Sequence, residues 1–277
     1  MKKEKQIIDQ KLADFLTEVL TELESNATVE KIFDDLVNPN LLQTDNGVIS
    51  KESVLVLSDT LNEYGLRSEP QLNLGYVKHN IYAPLIFYKN EGDINLSSVF
   101  YKFARLATRI AVIMILADGK VHKQELQAIE KLIWSMSGIT NRDKVYLLAK
   151  ARYLLIIDQA SDESYLDYVK ISLSRDSVMG RMADLSDGGK QHLLSCAKDI
   201  AISDGFLHNS ELSFFKEIYR VLELPIRNVK KDLLEHANKK FMTLDIHSTF
   251  SQEVIDPAFI EEVDDILNEL FSDFKEF

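Results

Sequence analysis

Apolar residues recur every three or four positions along most of this chain. Ile7, Ile8, Leu12, Phe15, Leu16, Val19, Leu20 and Leu23 form one such stripe and predict a helix over 4–24. A second helix is expected from Thr28 to about Leu36, ending before Pro39. Ser50 stands as the N-cap of a third, KESVLVLSDTLNEY, with Gly65 just past its end. The pattern then changes. Residues 66–92 hold Pro70, Gly75 and Pro84 with β-branched and aromatic residues between them, which predicts a short extended segment or small hairpin centred on IYAPLIFY. Pro84 argues for an edge position there.

From Ser97 onward the helical period returns. Phe100 to Leu116 is apolar nearly all round, interrupted by Lys102, Arg105 and Arg109, so this helix belongs in the middle of a bundle. Helices are expected near 122–136, 141–158 and 162–174. The polar stretch 174–190 reads as one short turn of helix and a loop, with Ser186 capping the next helix, KQHLLSCAKDIAI. Helices near 208–222 and 226–239 follow. After a linker at 240–255, Asp256 and Pro257 start a last helix whose stripe includes Phe259, Val263, Ile266, Leu270 and Phe274. Its opposite face is almost entirely acidic, which suits a groove on a basic partner, and these five residues are the candidate partner-binding set. Packing on its own bundle is the competing reading.

Two stretches nearly repeat each other. LADGKVHKQEL at 116–126 and ISDGFLHNSEL at 202–212 both read Asp-Gly-x-(Val/Leu)-His-x-x-Glu-Leu, 86 residues apart. At that offset Ala111 meets Ala197, Ile129 meets Phe215 and Leu132 meets Ile218, so a whole helix–loop–helix unit is duplicated. The expected fold is therefore all-α: a helical bundle built on the duplicated unit, with a small extended or β segment near 66–92. Its boundaries are 1–96 for a helical N-terminal extension, 97–239 for the duplicated domain, 240–255 for the linker and 256–277 for the acidic helix.

Each loop has a structural explanation. Gly119 and Gly205 sit where an apolar helix stops, and His122 and His208 precede the next helix with Glu125 and Glu211 three residues on. That is capping-box spacing, and Val121 and Leu207 are placed as apolar staples. Capping does not account for Asp118 and Asp204. An acid on the last turn of a helix faces the negative end of the helix dipole and needs a positive partner, either a cation or backbone amides of the following loop. Asp118, His122, Glu125, Asp204, His208 and Glu211 accordingly form the candidate metal-ligand set, for a divalent cation of unassigned identity. An EF-hand is excluded, because Met114, Leu116, Ile200 and Ile202 occupy the positions where its first oxygen ligands belong.

These loops, with the later EIYRVLELP, resemble the TerB domain of tellurite-resistance proteins. In that family an all-helical fold carries two such halves, and acidic loop residues associated with divalent cations map here onto Asp118, Glu125, Asp204 and Glu211. The position of His122 and His208 is more often Asp, Ser or Thr there. Upstream, LSDTLNEYGLRSEPQLNLG at 57–75 is similar to the Glu-Pro-Asp-x-Arg-Phe-Gly segment of larger TerB-containing proteins. Glu69, Pro70 and Gly75 match, and Gln71, Asn73 and Leu74 depart. The resemblance covers roughly 50–237. It implies a non-enzymatic module in bacterial stress response or phage defence, with protein partners in a multi-component assembly.

Composition narrows the picture further. Hydrophobic content is 45% and charged content 27%, ordinary for a globular chain, while Gly (10) and Pro (5) are scarce, as long helices require. A net charge of −12 repels phosphate backbones, so nucleic acid is not an expected partner. The single cysteine, Cys196, lies on an apolar helical run and reads as a buried small hydrophobe; a lone cysteine suits a cytoplasmic location. The charged start MKKEKQIID has no apolar run behind it, so no signal peptide is expected, and the longest apolar run, IAVIMILA, is too short to span a bilayer. HExxH, CxxC and GxSxG are absent, and DLSDGGKQ at 184–191 fails as a phosphate loop. The expectation is no enzyme. A metal-dependent hydrolase on the paired loops and a metal-free scaffold subunit are the alternatives.

Overall fold

A computed structural model describes residues 2–37, 42, 44–45, 47–72, 83–159 and 173–244. It is mostly helical, with one three-stranded sheet. The first helix, α1 (Lys2–Glu22), buries Leu12, Leu16 and Val19 on one face, as its spacing requires. The helix expected from Thr28 is absent. Val29–Ile32 is instead a strand, β1, followed by a single helical turn, α2 (Asp34–Val37). The Asp35 carboxylate accepts from the Ile32 amide at 3.0 Å, which ends the strand and starts the turn. A nine-residue stretch carries too weak a period to resist a strand partner that the fold supplies from far along the chain.

A two-residue ladder joins β2 (Thr44–Asp45) to β3 (Val48–Ile49). Helix α3 (Lys51–Glu63) starts as expected: Ser50 Oγ accepts from the Ser53 amide at 3.2 Å. Strands β4 (Leu66–Glu69) and β5 (Pro84–Lys89) then pair antiparallel, with residues 73–82 of that expected segment outside the described residues. The edge assignment for Pro84 is corrected. The strand order is β1-β5-β4, so β5 is central. Pro84 is its first residue, one of the few places where a sheet tolerates the missing N–H. Leu85, Ile86, Phe87 and Tyr88 are all buried, because both faces of the sheet are covered. Phe87 meets Phe15 of α1 edge-on at 6.1 Å. The next residue, Tyr88, points the other way and meets Tyr146 at 6.1 Å.

Tyr146 belongs to α6 (Asn141–Gln159), which packs between the sheet and the interior helix α4 (Val99–Ile115). Arg152 of α6 also donates to Thr28 Oγ1 at 2.7 Å. One continuous apolar core therefore joins the N-terminal extension to the duplicated domain. Helix α4 is buried on nearly every side, as its sequence predicts.

The remaining helices are α5 (Lys123–Ser135), α7 (Arg175–Ala183), α8 (Asp187–Ala201), α9 (Asn209–Val221) and α10 (Val229–Leu244). Helix α7 is longer than the single turn expected at 174–190, with Ser174 Oγ accepting from the Ser177 amide at 3.3 Å. Ser186 caps α8 as expected, accepting from Gly189 at 3.4 Å. Helix α10 runs into the expected linker. Residues 160–172, where another helix was expected, and 245–277 lie outside the described residues. Among the described residues no helix is long and apolar enough to cross a membrane.

Candidate functional site

The two copies of the duplicated unit pack crosswise. Helices α4 and α8, the first of each copy, lie against each other. Helix α5 of the first copy packs on α8 of the second, and α9 of the second packs on the turn that ends α4. The turn that opens the first loop is therefore held by the second copy, and both loops are built the same way.

In the first, α4 tightens into a 3-10 turn, Leu116–Asp118, and Gly119 takes φ +77° with its N–H donating to the Leu116 carbonyl at 3.2 Å. His122 is the N-cap of α5, and the Glu125 carboxylate accepts from the His122 amide at 2.8 Å. In the second, Gly205 takes φ +89° and donates to the Ile202 carbonyl at 3.3 Å. His208 is the N-cap of α9, and Glu211 accepts from its amide at 2.7 Å. Glu125 and Glu211 are only 4% and 3% exposed. The capping geometry read from the spacing is thus present in both copies, and Val121 and Leu207 pack against the core beside it.

Asp204 Oδ1 accepts from the Phe206 amide at 2.9 Å. That amide is one of the two partners its position called for, a cation or loop amides. The Asp118 side chain lies outside the described residues. His122 is half-buried and His208 exposed. Among the described residues, no three His, Cys, Asp or Glu side chains are grouped so as to hold a metal ion. The loop carboxylates that are described already bond to backbone amides. The partner-binding set Phe259, Val263, Ile266, Leu270 and Phe274 falls outside the described residues.

Other groups follow simple rules. Cys196 is buried, and burial pushes its thiol up to about 11, which fits a packing role. His236 Nε2 lies 2.7 Å from Asp199, and Lys240 pairs with the same carboxylate at 2.9 Å, tying α10 to α8.

A second charged feature lies elsewhere. A cavity of about 300 Å³ opens between α4, α6 and α7. Arg105 and Arg109 of α4, Lys150 of α6 and Arg181 of α7 line it. The signal for it in the chain is two arginines one helical turn apart in the interior of a helix that is otherwise mostly apolar.

The domain is thus built of duplicated helical pairs packed crosswise around a buried central helix. Residues 105–232 match the family model for Tellurite resistance protein TerB, and this part of the chain is a TerB-like domain. No curated protein and no solved structure matches the chain.

Proposed function

We propose that this chain is a non-catalytic TerB-like module of bacterial stress response or phage defence. It acts by contact with protein partners in a multi-component assembly, with the paired Asp-Gly loops as a candidate divalent-cation site. The observation that carries the reading is the crosswise packing of two helical pairs, each with an acidic loop, around a segment that matches the TerB family model. Phe206, at the tip of the second loop, is 59% exposed and is the position at which this end of the bundle is probed for a protein contact. A second reading, a scaffold subunit without metal, is favoured by the backbone amides already bonded to Asp204, Glu125 and Glu211.

One comparison separates the two. A glutamine at the third helical position still accepts from the N-cap amide, but it is a weaker ligand for a hard cation. Thermal unfolding of EDTA-stripped protein is measured with Ca²⁺, Mg²⁺, Mn²⁺ or Zn²⁺, beside the Glu125→Gln/Glu211→Gln variant. An ion at ~100 times its dissociation constant adds about 2.7 kcal/mol. Loss of that shift in the variant assigns the ion to the loops. No shift with any ion leaves the scaffold reading. A photo-reactive residue at position 206, with exposed Lys231 as the control position, tests the protein contact in cells. A discrete cross-linked partner from position 206 alone is expected, and its absence removes the contact from this loop.

A further inference from the structure

The cavity between α4, α6 and α7 presents charge that the described fold does not neutralise. Arg109 is 7% exposed, and its Nε and that of Arg105 are buried with no hydrogen-bond partner. Among the described residues no carboxylate lies within ion-pair distance of Arg105, Arg109 or Arg181. Burial and the charges of Arg105 and Arg181 push the Arg109 guanidinium down to about 10, so it remains charged at neutral pH. The acid whose charge acts on Lys150 is Glu69, 1% exposed, while buried Asp143 acts with Glu69 and Arg105 on Tyr101. With Lys150 facing Glu69, the three arginines line a small space, Arg109 buried, Arg105 half-buried and Arg181 exposed. A buried guanidinium without a counter-charge is strongly unfavourable, and in a chain of net charge −12 the concentration of cations here runs against the overall balance.

We propose that this cavity binds a small phosphorylated molecule. A single carboxylate would neutralise one of the three charges. A phosphate monoester carries nearly two and a diphosphate about three, and arginine forks match phosphate oxygens in pairs. Val112 and Leu147 form apolar wall beside the cations, where the uncharged body of the ligand rests. About 300 Å³ is at the small end of ligand pockets, room for a phosphate group and a compact body. A nucleic-acid strand needs an extended basic track, which a cavity of this size on an acidic protein does not offer.

The test uses the full chain, with inorganic pyrophosphate and adenosine diphosphate as probes and sodium sulfate at matched ionic strength as the reference. Thermal unfolding and calorimetric titration are measured for the unmodified protein, Arg109→Met, Arg105→Met and the exposed-site control Arg227→Met. Both phosphates should raise the Tm by more than sulfate does. Arg109→Met and Arg105→Met should weaken pyrophosphate binding about tenfold or more. Without ligand, Arg109→Met should unfold at the same or a higher temperature, because an uncompensated charge has been removed. The control should behave as the unmodified protein. An equal response to sulfate, no response to either phosphate at millimolar concentration, or unchanged affinity in Arg109→Met would overturn the proposal. So would a lower ligand-free Tm for Arg109→Met, which would assign the guanidinium a partner within the chain.

Discussion

The Asp-Gly loops and the arginine cavity hold charge in opposite ways. In the loops every described carboxylate has a backbone amide within three residues of itself: Glu125 on His122, Glu211 on His208, Asp204 on Phe206. The partner is chosen by local chain geometry, and it would be there in an isolated helix start. The cavity gathers its cations from three helices, so no local rule supplies counter-charges, and the described residues provide one glutamate for four cations. A charge answered three residues away explains how the chain turns. A charge buried by packing and left unanswered among the described residues points to a partner beyond them. The conspicuous repeat is therefore strong evidence about folding and weaker evidence about ligands, while two inconspicuous arginines carry the reverse weight.

The largest effect expected from this contrast is on the loops. Replacing both Glu125 and Glu211 by Ala removes two buried acceptors from helix starts and should cost roughly 3 kcal/mol in urea unfolding. Replacing both by Gln should cost under about 1 kcal/mol, since the amide oxygen still accepts. If the glutamines prove as damaging as the alanines in EDTA, the negative charge itself is needed, and the loops no longer differ from the cavity.

Much of this fold was readable from period and caps. The duplicated unit, the buried central helix and the caps at Ser50, Ser186, His122 and His208 all depend on residues a few positions apart. What was not readable depends on distant partners. Val29–Ile32 becomes a strand because β5 lies beside it, and Pro84 enters a central strand because α1 and α6 cover its two faces. The loop residues were legible as a set, yet which loop amide bonds Asp204 was not, and the structure supplies that of Phe206. The cavity was legible only as Arg105 and Arg109 interrupting an apolar helix. Lys150 and Arg181 join them through packing that no local spacing reports.

The second effect concerns the cavity and has the opposite sign. In ligand-free protein Arg109→Met should gain about 1 to 2 kcal/mol, because a buried unpaired charge is exchanged for an apolar side chain of similar length. Urea unfolding of the two proteins in phosphate-free buffer measures it. A loss of similar size would mean the cavity is internally balanced like the loops, and the contrast would fail from the other side.

The smallest effect tests the loops at a single atom. Asp204→Ala removes the acceptor of the Phe206 N–H and should cost about 0.5–1 kcal/mol. Asp204→Asn keeps an oxygen in that place. It also removes a negative charge from the C-terminal end of α8, where the helix dipole disfavours it, so it should match the unmodified protein or exceed it by a few tenths of a kcal/mol. Both are read by urea unfolding in EDTA and again with each divalent ion. If Asn equals Asp in every condition, the loop amide is a sufficient partner for Asp204. If Asn falls behind only when one ion is present, the charge of Asp204 answers a cation as well as an amide. The loops would then share with the cavity the property of completing their charge from outside the chain.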